Sequence, residues 1–398
     1  MSAKQLTDPG LKIALALSGG GFRASLFHLG ALRRFNDAGL LSRLTAISSV
    51  SGGSITNGLL ATKWHKLTPD ATGRFTNFRQ EVEQPMRDFC GKNLRNHPLL
   101  FGRFNPLKWK DLATRDYSVT NLLVERYDED LLGHAKMSLL RDIKSAGGPS
   151  FIFCATNMQN GVNWIFSDSR MGDYLTGYTF KDDMTLGVAV ATSSAFPIAF
   201  PPLTVNLTGL PWQDGKMGPG PERDQIRAKA ILSDGGVYDN MGLEPVWKSS
   251  DFVFCSDAGA PFKNDPDLGG NMFTRLKRAN DVIDRQSRAL RKRMLIDKFE
   301  RGDYRGSYWG IATDIADYPL TPQASGYRGA TLEKVSRIRT DLDVFEPVEQ
   351  DVLMNHGWLL SGAALRAHCS EWPERPSEAP SPSLLDNQTA LDALEKAD

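Results

Sequence analysis

Three consecutive glycines, Gly19–Gly21, separate an apolar run from a helix-like segment, and no other feature of the sequence constrains the fold as strongly. The run Lys12–Leu17 is short and apolar, which predicts a buried strand. Ser25–Ala38 has leucine and phenylalanine near helical spacing and ends before Gly39, which predicts a helix with a glycine cap. A glycine-rich turn between a strand and a helix lets several backbone N–H groups point at one spot.

A second unit of the same kind follows directly. Leu44–Ser48 predicts another short strand, and Ser54–Trp64 predicts another helix after Gly52 and Gly53. Strands and helices that alternate in this way are typical of a parallel sheet with right-handed crossovers. We therefore expect an α/β protein with a mainly parallel central sheet. Further strands are predicted at Phe151–Asn157 and Asn163–Ser167, which would form a hairpin around Gly161, and at Ala228–Leu232 and Phe252–Ser256.

The rest of the chain predicts additions to this sheet. Residues 66–145 are rich in charge, aromatic residues and leucine, and we interpret them as a helical insertion in a domain spanning residues 10–368. Prolines, serines and glutamates predict that residues 371–398 form a flexible tail with a short amphipathic helix near Leu384–Leu394. Asn271–Arg301 predicts a long helix with a basic outer face. That face comprises Arg275, Arg278, Arg285, Arg288, Arg291, Lys292 and Arg293.

Composition narrows the functional classes. The 398 residues include 47 basic and 47 acidic side chains, a balance that gives no basis for binding a nucleic acid polymer through bulk charge. The N-terminal residues lack the apolar core of a secretory signal, and no apolar stretch approaches the ~20 residues of a membrane span. We therefore expect a cytoplasmic protein. Its four scattered cysteines are predicted to be buried free thiols, and its six histidines form no pair with metal-ligand spacing.

The glycine loop Gly19–Gly21 is suited to hold negative charge, because a helix N-terminus lies behind it. Two kinds of site fit this loop: a phosphate site or an oxyanion hole. Gly19 to Ala24 matches the GxGxxA dinucleotide pattern, but the second strand ends in Ser48-Ser49 rather than in the acid that such a site needs. No Gly-Lys-Ser/Thr sequence follows the loop either. The loop therefore favours an oxyanion over a nucleotide cofactor.

Ser51 has the surroundings of a nucleophile elbow, a strained turn that places a serine between a strand and a helix. The residues two before and two after it, Ser49 and Gly53, are small, as the turn requires, although the first is usually glycine. The elbow closes the strand that follows the glycine loop, so neighbouring parallel strands would place Ser51 beside an oxyanion hole. Candidate donors are the N–H groups of Gly20, Gly21 and Gly52.

A serine nucleophile needs a base, and Asp234 is the leading candidate. It follows the apolar run Ala230–Leu232, which puts it at the carboxyl end of a predicted strand, where open α/β sheets build their sites. Its alternative role is that of a structural turn residue. The order Ser51, Asp234, His356 also matches an α/β-hydrolase triad, but too few residues precede the serine for that fold. His356 and His28 stay as alternative bases.

These stretches together resemble the patatin-like phospholipases, a family of lipid acyl hydrolases with a Ser–Asp dyad. The family's GGGxR loop corresponds to Gly19–Arg23, its GxSxG elbow to Ser49–Gly53 and its DG[GA] motif to Asp234–Gly236. The run Ala191–Pro202 lies between elbow and base, as in the family. The resemblance covers about Lys12–Pro245, and the combination of motifs is specific although each motif alone is weak.

The resemblance implies a three-layer α/β/α sandwich and a carboxylic ester hydrolase of the phospholipase A or lysophospholipase type. Ser51 would attack the lipid ester and Asp234 would accept its proton, with no metal or organic cofactor. Arg23 would either face the substrate phosphate or brace the loop, and the second role is slightly favoured. A phospholipid membrane surface, contacted transiently, would be the substrate. The implied oxyanion hole consists of Gly19, Gly20, Gly21 and Gly52.

Other interpretations stay open. The same dyad would also cleave other esters or thioesters. Some bacterial relatives in this family are antiphage effectors that a cyclic nucleotide activates to degrade the cell membrane, and the chain is compatible with that role. The glycine loop would alternatively serve a non-enzymatic binding module. Leu99–Trp109 is predicted as a lid or interfacial patch, or else as a loop packed on the core, and the basic helix face would meet anionic headgroups, a nucleotide or solvent.

Overall fold

The structure, a computed structural model, describes residues 4–94, 118–197 and 200–397. A mixed sheet with mostly parallel central strands is flanked by helices, which confirms the predicted α/β/α sandwich. The strands are β1 Ile13–Leu17, β2 Ala46–Ser49, β3 Ser150–Asn157, β4 Val162–Phe166, β5 Met171–Asp173, β6 Gly177–Thr179, β7 Leu203–Asn206, β8 Gln213–Asp214, β9 Lys229–Asp234, β10 Phe252–Asp257 and β11 Arg305–Gly310.

Helices cover the sheet and connect its strands. They are α1 Gly21–Asp37, α2 Gly52–Lys63, α3 Gln84–Cys90, α4 Val119–Tyr127, α5 Ser138–Ser145, α6 Leu186–Ser193, α7 Pro221–Ala228, α8 Gly236–Asp239, α9 Met272–Glu300, α10 Gly329–Ser336, α11 Pro347–His368 and α12 Asn387–Ala397. Single π-helical turns lie at Arg79–Glu83 and Asp128–Leu132, and short 3₁₀ turns at Leu41–Arg43, Trp64–Lys66, Ile315–Asp317 and Pro382–Leu384. Both α1 and α2 start earlier than predicted, directly on the glycines.

The sheet brings the ends of several strands to one edge. Its order is β11-β10-β1-β2-β3-β4-β5-β6-β8, and β9 pairs with both β3 and β7. Strands β11, β10, β1, β2 and β3 are parallel, so their carboxyl ends meet at one edge, whereas the remaining pairs are antiparallel. Strand β9 runs the opposite way and stops at that edge, with Asp234 opposite Ala155. Strand β2 ends just before it, with Ser49 opposite Phe153.

An apolar core covers each face of the sheet. Strand β1 is buried along its whole length, which explains its uninterrupted apolar sequence. Helix α1 is buried over almost all of its residues because it lies between the sheet and α11. The two helices approach so closely that a Cβ on Gly30 would lie 2.0 Å from the carbonyl oxygen of Met354. Glycine at this position therefore permits backbone-to-backbone packing.

The predicted helical insertion contributes to the main core. Helices α3, α4 and α5 lie within residues 66–145, and Phe89, Leu123, Tyr127 and Leu140 are buried in the larger apolar cluster. The segment Leu99–Trp109, predicted as a lid or as a packed loop, lies outside the described residues. The insertion therefore shares the main core, as far as the described residues extend.

The C-terminal segment differs from its prediction as a flexible tail. Residues 371–397 lie against the domain, and Ala390 and Leu394 of α12 are buried. The Tyr327 hydroxyl donates to the Leu384 carbonyl oxygen at 2.6 Å, and the Asn355 amide donates to that of Ser381 at 2.8 Å. The segment is held in place because donors inside the domain form hydrogen bonds with its carbonyl groups. The predicted amphipathic helix also buries its apolar face against the domain.

Three further features belong to the described part of the chain. The four cysteines are free and buried, as predicted. Across residues 4–94, 118–197 and 200–397, no helix combines the length and the apolar character that crossing a membrane requires. The same residues contain no group of three or more potential metal ligands.

Candidate active site

Ser51 lies on a strained turn between β2 and α2. Its φ of 51° and ψ of −120° are unusual for a residue with a side chain, and such a conformation costs about 1–3 kcal/mol. The strain is held by the neighbouring structure, because the Ser51 N–H donates to both the carbonyl and the hydroxyl oxygen of Ser193, each at 3.1 Å. The turn has the backbone geometry predicted for a nucleophile elbow.

The two glycines that follow Ser51 allow the elbow to touch the neighbouring turn. A Cβ on Gly52 would lie 2.0 Å from the Gly21 carbonyl oxygen, and one on Gly53 would lie 2.5 Å from that of Leu17. Ser49, which replaces the usual first glycine, points into the interior instead. Its hydroxyl donates to the Ile152 carbonyl oxygen at 3.1 Å, so the departure from the family pattern is accommodated by hydrogen bonding.

The glycine loop presents its free N–H groups beside Ser51. Among the described residues, no backbone hydrogen bond uses the N–H of Gly20, Gly21 or Gly52. Gly19 differs from its prediction, because its N–H donates to the Asn240 carbonyl oxygen at 3.0 Å and is not free to hold an oxyanion. Its lack of a side chain serves packing, since a Cβ there would lie 2.3 Å from the Asn240 amide oxygen.

Asp234 ends β9 with its carboxyl group directed at Ser51. The Gly236 N–H donates to this carboxyl group at 2.7 Å, and Ser51 lines the same cavity. Burial raises the pKa of Asp234 to about 7; the Gly236 N–H and the Ser51 side chain oppose this rise, and the charge of Asp284 adds to it. A carboxyl group with a pKa near neutrality can both accept and return a proton.

A cavity of about 390 Å³ opens onto this pair of residues. One side consists of the glycine loop, Ser51 and Asp234. Helix α9 forms the opposite wall, which includes Asp284 and Ile283. Apolar side chains complete the lining, among them Phe196, Phe200, Val237 and Leu342.

Comparison with known proteins identifies the family. A sequence model of the family described as patatin-like phospholipase matches residues 15–247, which is more than half of the chain. The chain belongs to the patatin-like phospholipase family. No curated protein gives a significant match to the sequence.

Solved structures similar to this patatin-like phospholipase include two named proteins. Human GIVD cytosolic phospholipase A2 matches with a TM-score of 0.48 and 13% identity, over 97% of this chain and 60% of that chain. VipD from Legionella pneumophila matches with a TM-score of 0.37 and 16% identity, over 90% of this chain and 67% of that chain. This chain therefore spans about 60% of the length of the human protein.

Ser193, at the end of α6, joins the elbow to the loop that carries Asp234. Its carbonyl oxygen accepts from the N–H of Ser51 at 3.1 Å and from the N–H of Gly235 at 3.3 Å. Its hydroxyl donates to the Cys154 carbonyl oxygen at 2.6 Å. Sequence reasoning placed this serine in the run Ala191–Pro202 without a role, although the small residues there were a signal of close packing.

Arg23 connects the glycine loop to other parts of the chain. Its guanidinium donates to the carbonyl oxygens of Ile338 at 2.9 Å and Ala258 at 2.7 Å, and the side chain is buried. Burial, together with the nearby charge of Arg288, lowers the pKa of Arg23 to about 9. These contacts favour the predicted bracing role over binding of a substrate phosphate.

The two alternative bases, His28 and His356, form their hydrogen bonds away from the cavity at Ser51. The ring nitrogens of His28 hydrogen-bond the Ser256 hydroxyl at 2.8 Å and the Ser18 carbonyl oxygen at 2.9 Å. His356 hydrogen-bonds the Ile311 carbonyl oxygen at 2.8 Å from within α11. Burial lowers the pKa of each histidine to about 4, and neither side chain lines the cavity at Ser51.

The predicted basic face of α9 is divided between structural and exposed positions. Arg288 points inward and forms two hydrogen bonds of 3.1 Å with the Asp257 carboxylate at the end of β10. Arg291 also points inward and pairs with Asp239 at 3.3 Å. These contacts fix α9 over the cavity that contains Ser51.

Replacing Asp234 with asparagine is expected to stabilise the protein at high pH. Because folding raises the pKa of this carboxyl from 3.8 to about 7, the folded state loses stability as pH rises between these values. Asparagine carries no charge, and at pH 8 it should add up to about 4 kcal/mol to the free energy of unfolding, at about 1.4 kcal/mol per pKa unit. Urea denaturation at pH 8 and pH 4 measures the difference. An equal effect at both values would contradict the raised pKa.

Proposed function

We propose that the protein is a serine lipid acyl hydrolase of the phospholipase A or lysophospholipase type, with Ser51 and Asp234 as its catalytic dyad. Membership in the patatin-like phospholipase family supports lipid hydrolase activity. The observation that carries the proposal is that Ser51, on its strained turn, shares a cavity with the buried carboxyl of Asp234, whose pKa of about 7 the Ser51 side chain influences. Histidine has no part in this proposal.

The reaction would proceed in two acyl transfers. The Ser51 oxygen attacks the ester carbonyl while Asp234 takes the hydroxyl proton, which gives a tetrahedral oxyanion. The oxyanion collapses to an acyl-enzyme, and Asp234 returns the proton to the departing alcohol. Water then attacks the acyl-enzyme as Asp234 takes its proton, and collapse of this second intermediate releases the fatty acid and restores the serine.

Two helix N-termini support the oxyanion. Gly21 begins α1 and Gly52 begins α2, so the positive ends of both helix dipoles lie at the elbow. The N–H groups of Gly20, Gly21 and Gly52 are the donors we assign to the oxyanion. Loss of one such donor typically costs about 100- to 1000-fold in rate.

The lining of the cavity supports a lipid substrate. Phe196, Phe200, Val237 and Ile283 place apolar surface next to Ser51. Transfer of an acyl chain from water to such a surface is favourable, because it lowers the free energy of the system. The apolar lining thus favours a fatty-acyl ester over a small polar one.

Replacing Ser51 with alanine is expected to abolish activity because the nucleophilic oxygen is removed. A fluorophosphonate probe should label the wild-type protein and leave the variant unlabelled, and release of fatty acid from liposomes should fall to background. Ser250→Ala is the matched control, because that hydroxyl donates to the Val246 carbonyl oxygen away from the cavity. Labelling of Ser51→Ala at the wild-type level would refute the assignment.

The pH dependence tests the base. Since Asp234 must be ionised to accept a proton, the rate is expected to rise with pH through about 7. Asp284→Asn removes a charge that raises the pKa of Asp234, so the acid limb of kcat should move to lower pH. Asp281→Asn is the control, because Asp281 lines the same cavity but does not contribute to the pKa of Asp234. An unmoved acid limb in Asp284→Asn would argue against Asp234 as the base.

A second candidate is a phospholipase effector gated by a cyclic nucleotide, and a second cavity favours it. This cavity of about 450 Å³ lies behind α9, at the ends of β10 and β11. The guanidinium of Arg285 lies 4.5 Å from the ring centre of Phe262, and the Lys292 ammonium lies 4.5 Å from that of Tyr308. Cations interleaved with aromatic rings suit an anionic ligand that carries planar bases.

Gating is tested by the same liposome assay. Release of fatty acid should increase on addition of cyclic di- or trinucleotides, and Lys292→Ala should weaken this stimulation because a cation leaves the second cavity. Lys298→Ala is the control, because this lysine lies on the same helix outside the cavity lining. Wild-type activity that no cyclic nucleotide changes would count against the gated effector.

A further inference from the structure

The outer surface of α9 carries a stripe of exposed apolar side chains. Met272, Leu276, Ile283 and Leu290 are 76%, 59%, 63% and 53% exposed. At 3.6 residues per turn these four positions fall within roughly 40° of one another around the helix axis. We call these four residues the apolar stripe. Contiguous exposed apolar surface of this kind marks a site of interaction.

The apolar stripe adjoins the mouth of the Ser51 cavity. Ile283 belongs to the stripe and also lines the cavity, so the two surfaces are continuous. Across the mouth, Phe196 and Val237 line the same cavity and are 41% and 46% exposed. Exposed apolar side chains therefore lie on both sides of the opening through which a substrate would reach Ser51.

Charges on α9 are segregated by face. The acids Asp281 and Asp284 line the cavity, and the cations Arg288 and Arg291 are paired with acids of the domain. The exposed charged side chains between Met272 and Ile296 are all cations, namely Arg275, Lys277, Arg285, Lys292 and Arg293. At about 100° per residue, Arg275 and Arg293 flank the apolar stripe, whereas Arg285 and Lys292 face the second cavity on the other side of the helix. Over the length of the stripe, the exposed charges that flank it are thus positive.

We propose that the outer face of α9 docks on an anionic lipid surface, with the apolar stripe in the acyl boundary and the exposed cations against the headgroups. An amphipathic helix with these two components binds the interface of a bilayer. Docking in this orientation would turn the cavity mouth towards the lipid, so that an acyl ester enters beside Ile283. This proposal rests on the proposed lipid hydrolase function for its purpose, but its binding step requires no catalysis.

Charge also argues against a second copy of the chain as the occupant. Two copies that met through the apolar stripe would bring Arg275 and Arg293 of each copy close together, because the exposed acids of α9, Asp297 and Glu300, lie beyond the end of the stripe. Anionic headgroups neutralise the same cations, at about 1 kcal/mol per Lys or Arg near a charged surface. The lipid surface is therefore the occupant that the charge pattern favours.

The test is vesicle co-sedimentation with proteins that carry Ser51→Ala, so that no lipid is hydrolysed. Binding is expected to be strong on vesicles of phosphatidylcholine with phosphatidylglycerol and weak on phosphatidylcholine alone. Met272→Asp combined with Leu276→Asp should lower binding to the anionic vesicles at least tenfold. Met158→Asp is the control, because Met158 is 45% exposed but lies outside α9 and should bind like the parent.

A charge variant separates the two components of docking. Arg275→Glu combined with Arg293→Glu should lower binding to anionic vesicles and weaken its dependence on salt. Thermal denaturation of each variant shows whether the fold is retained. Unchanged vesicle binding by the folded stripe variant would overturn the proposal. A stripe variant with half the molecular mass of its parent in solution would also overturn it, because the stripe would then be the contact between two copies of the chain.

Docking and hydrolysis are tested independently. If the wild-type protein binds anionic vesicles through α9 but releases no fatty acid, docking stands and the proposed function fails. If the wild-type protein releases fatty acid while the stripe variant in the Ser51→Ala background binds vesicles as well as its parent, the proposed function stands and docking fails.

Discussion

Two turns that touch through backbone alone determine the geometry of the site. A side chain at Gly52 would collide with the carbonyl oxygen of Gly21, because a Cβ there would lie only 2.0 Å away. This contact sets the first turns of α1 and α2 side by side, with their free N–H groups in one small region. It also leaves Ser51 in a conformation that an isolated turn would relax. The strain at the serine is thus maintained by packing between neighbouring βα units.

The carboxyl group reaches the site by a different route from the serine. Ser51 follows a strand of the parallel half of the sheet, whereas Asp234 ends the antiparallel strand β9, which stops at the same edge. The carbonyl oxygen of Ser193 accepts hydrogen bonds from both turns and so fixes their separation. Since both groups are held mainly by backbone contacts, their relative position depends little on flexible side chains.

Sequence patterns predict what local backbone chemistry controls. The elbow at Ser51, the glycine loop and the strand end at Asp234 each require small residues at fixed positions, and the structure brings them together. In the antiparallel half of the sheet the sequence predicts one hairpin and the strand at Ala228–Leu232 but not the partners of that strand, because pairing between distant strands leaves no local pattern. The same limit applies to Ser193, Asp284 and Arg288, whose contacts join residues far apart in the chain.

The proline-rich segment after residue 370 shows where composition misleads. Its carbonyl groups are the partners of Asn355 and Tyr327, two side chains inside the domain. Removing the segment would take away the acceptors of those donors, and each donor that stayed buried without a partner would cost about 1–3 kcal/mol. A truncation chosen by composition would therefore remove part of the folding unit. The shortened chain should lose stability in the way that a protein with a substitution in its core does.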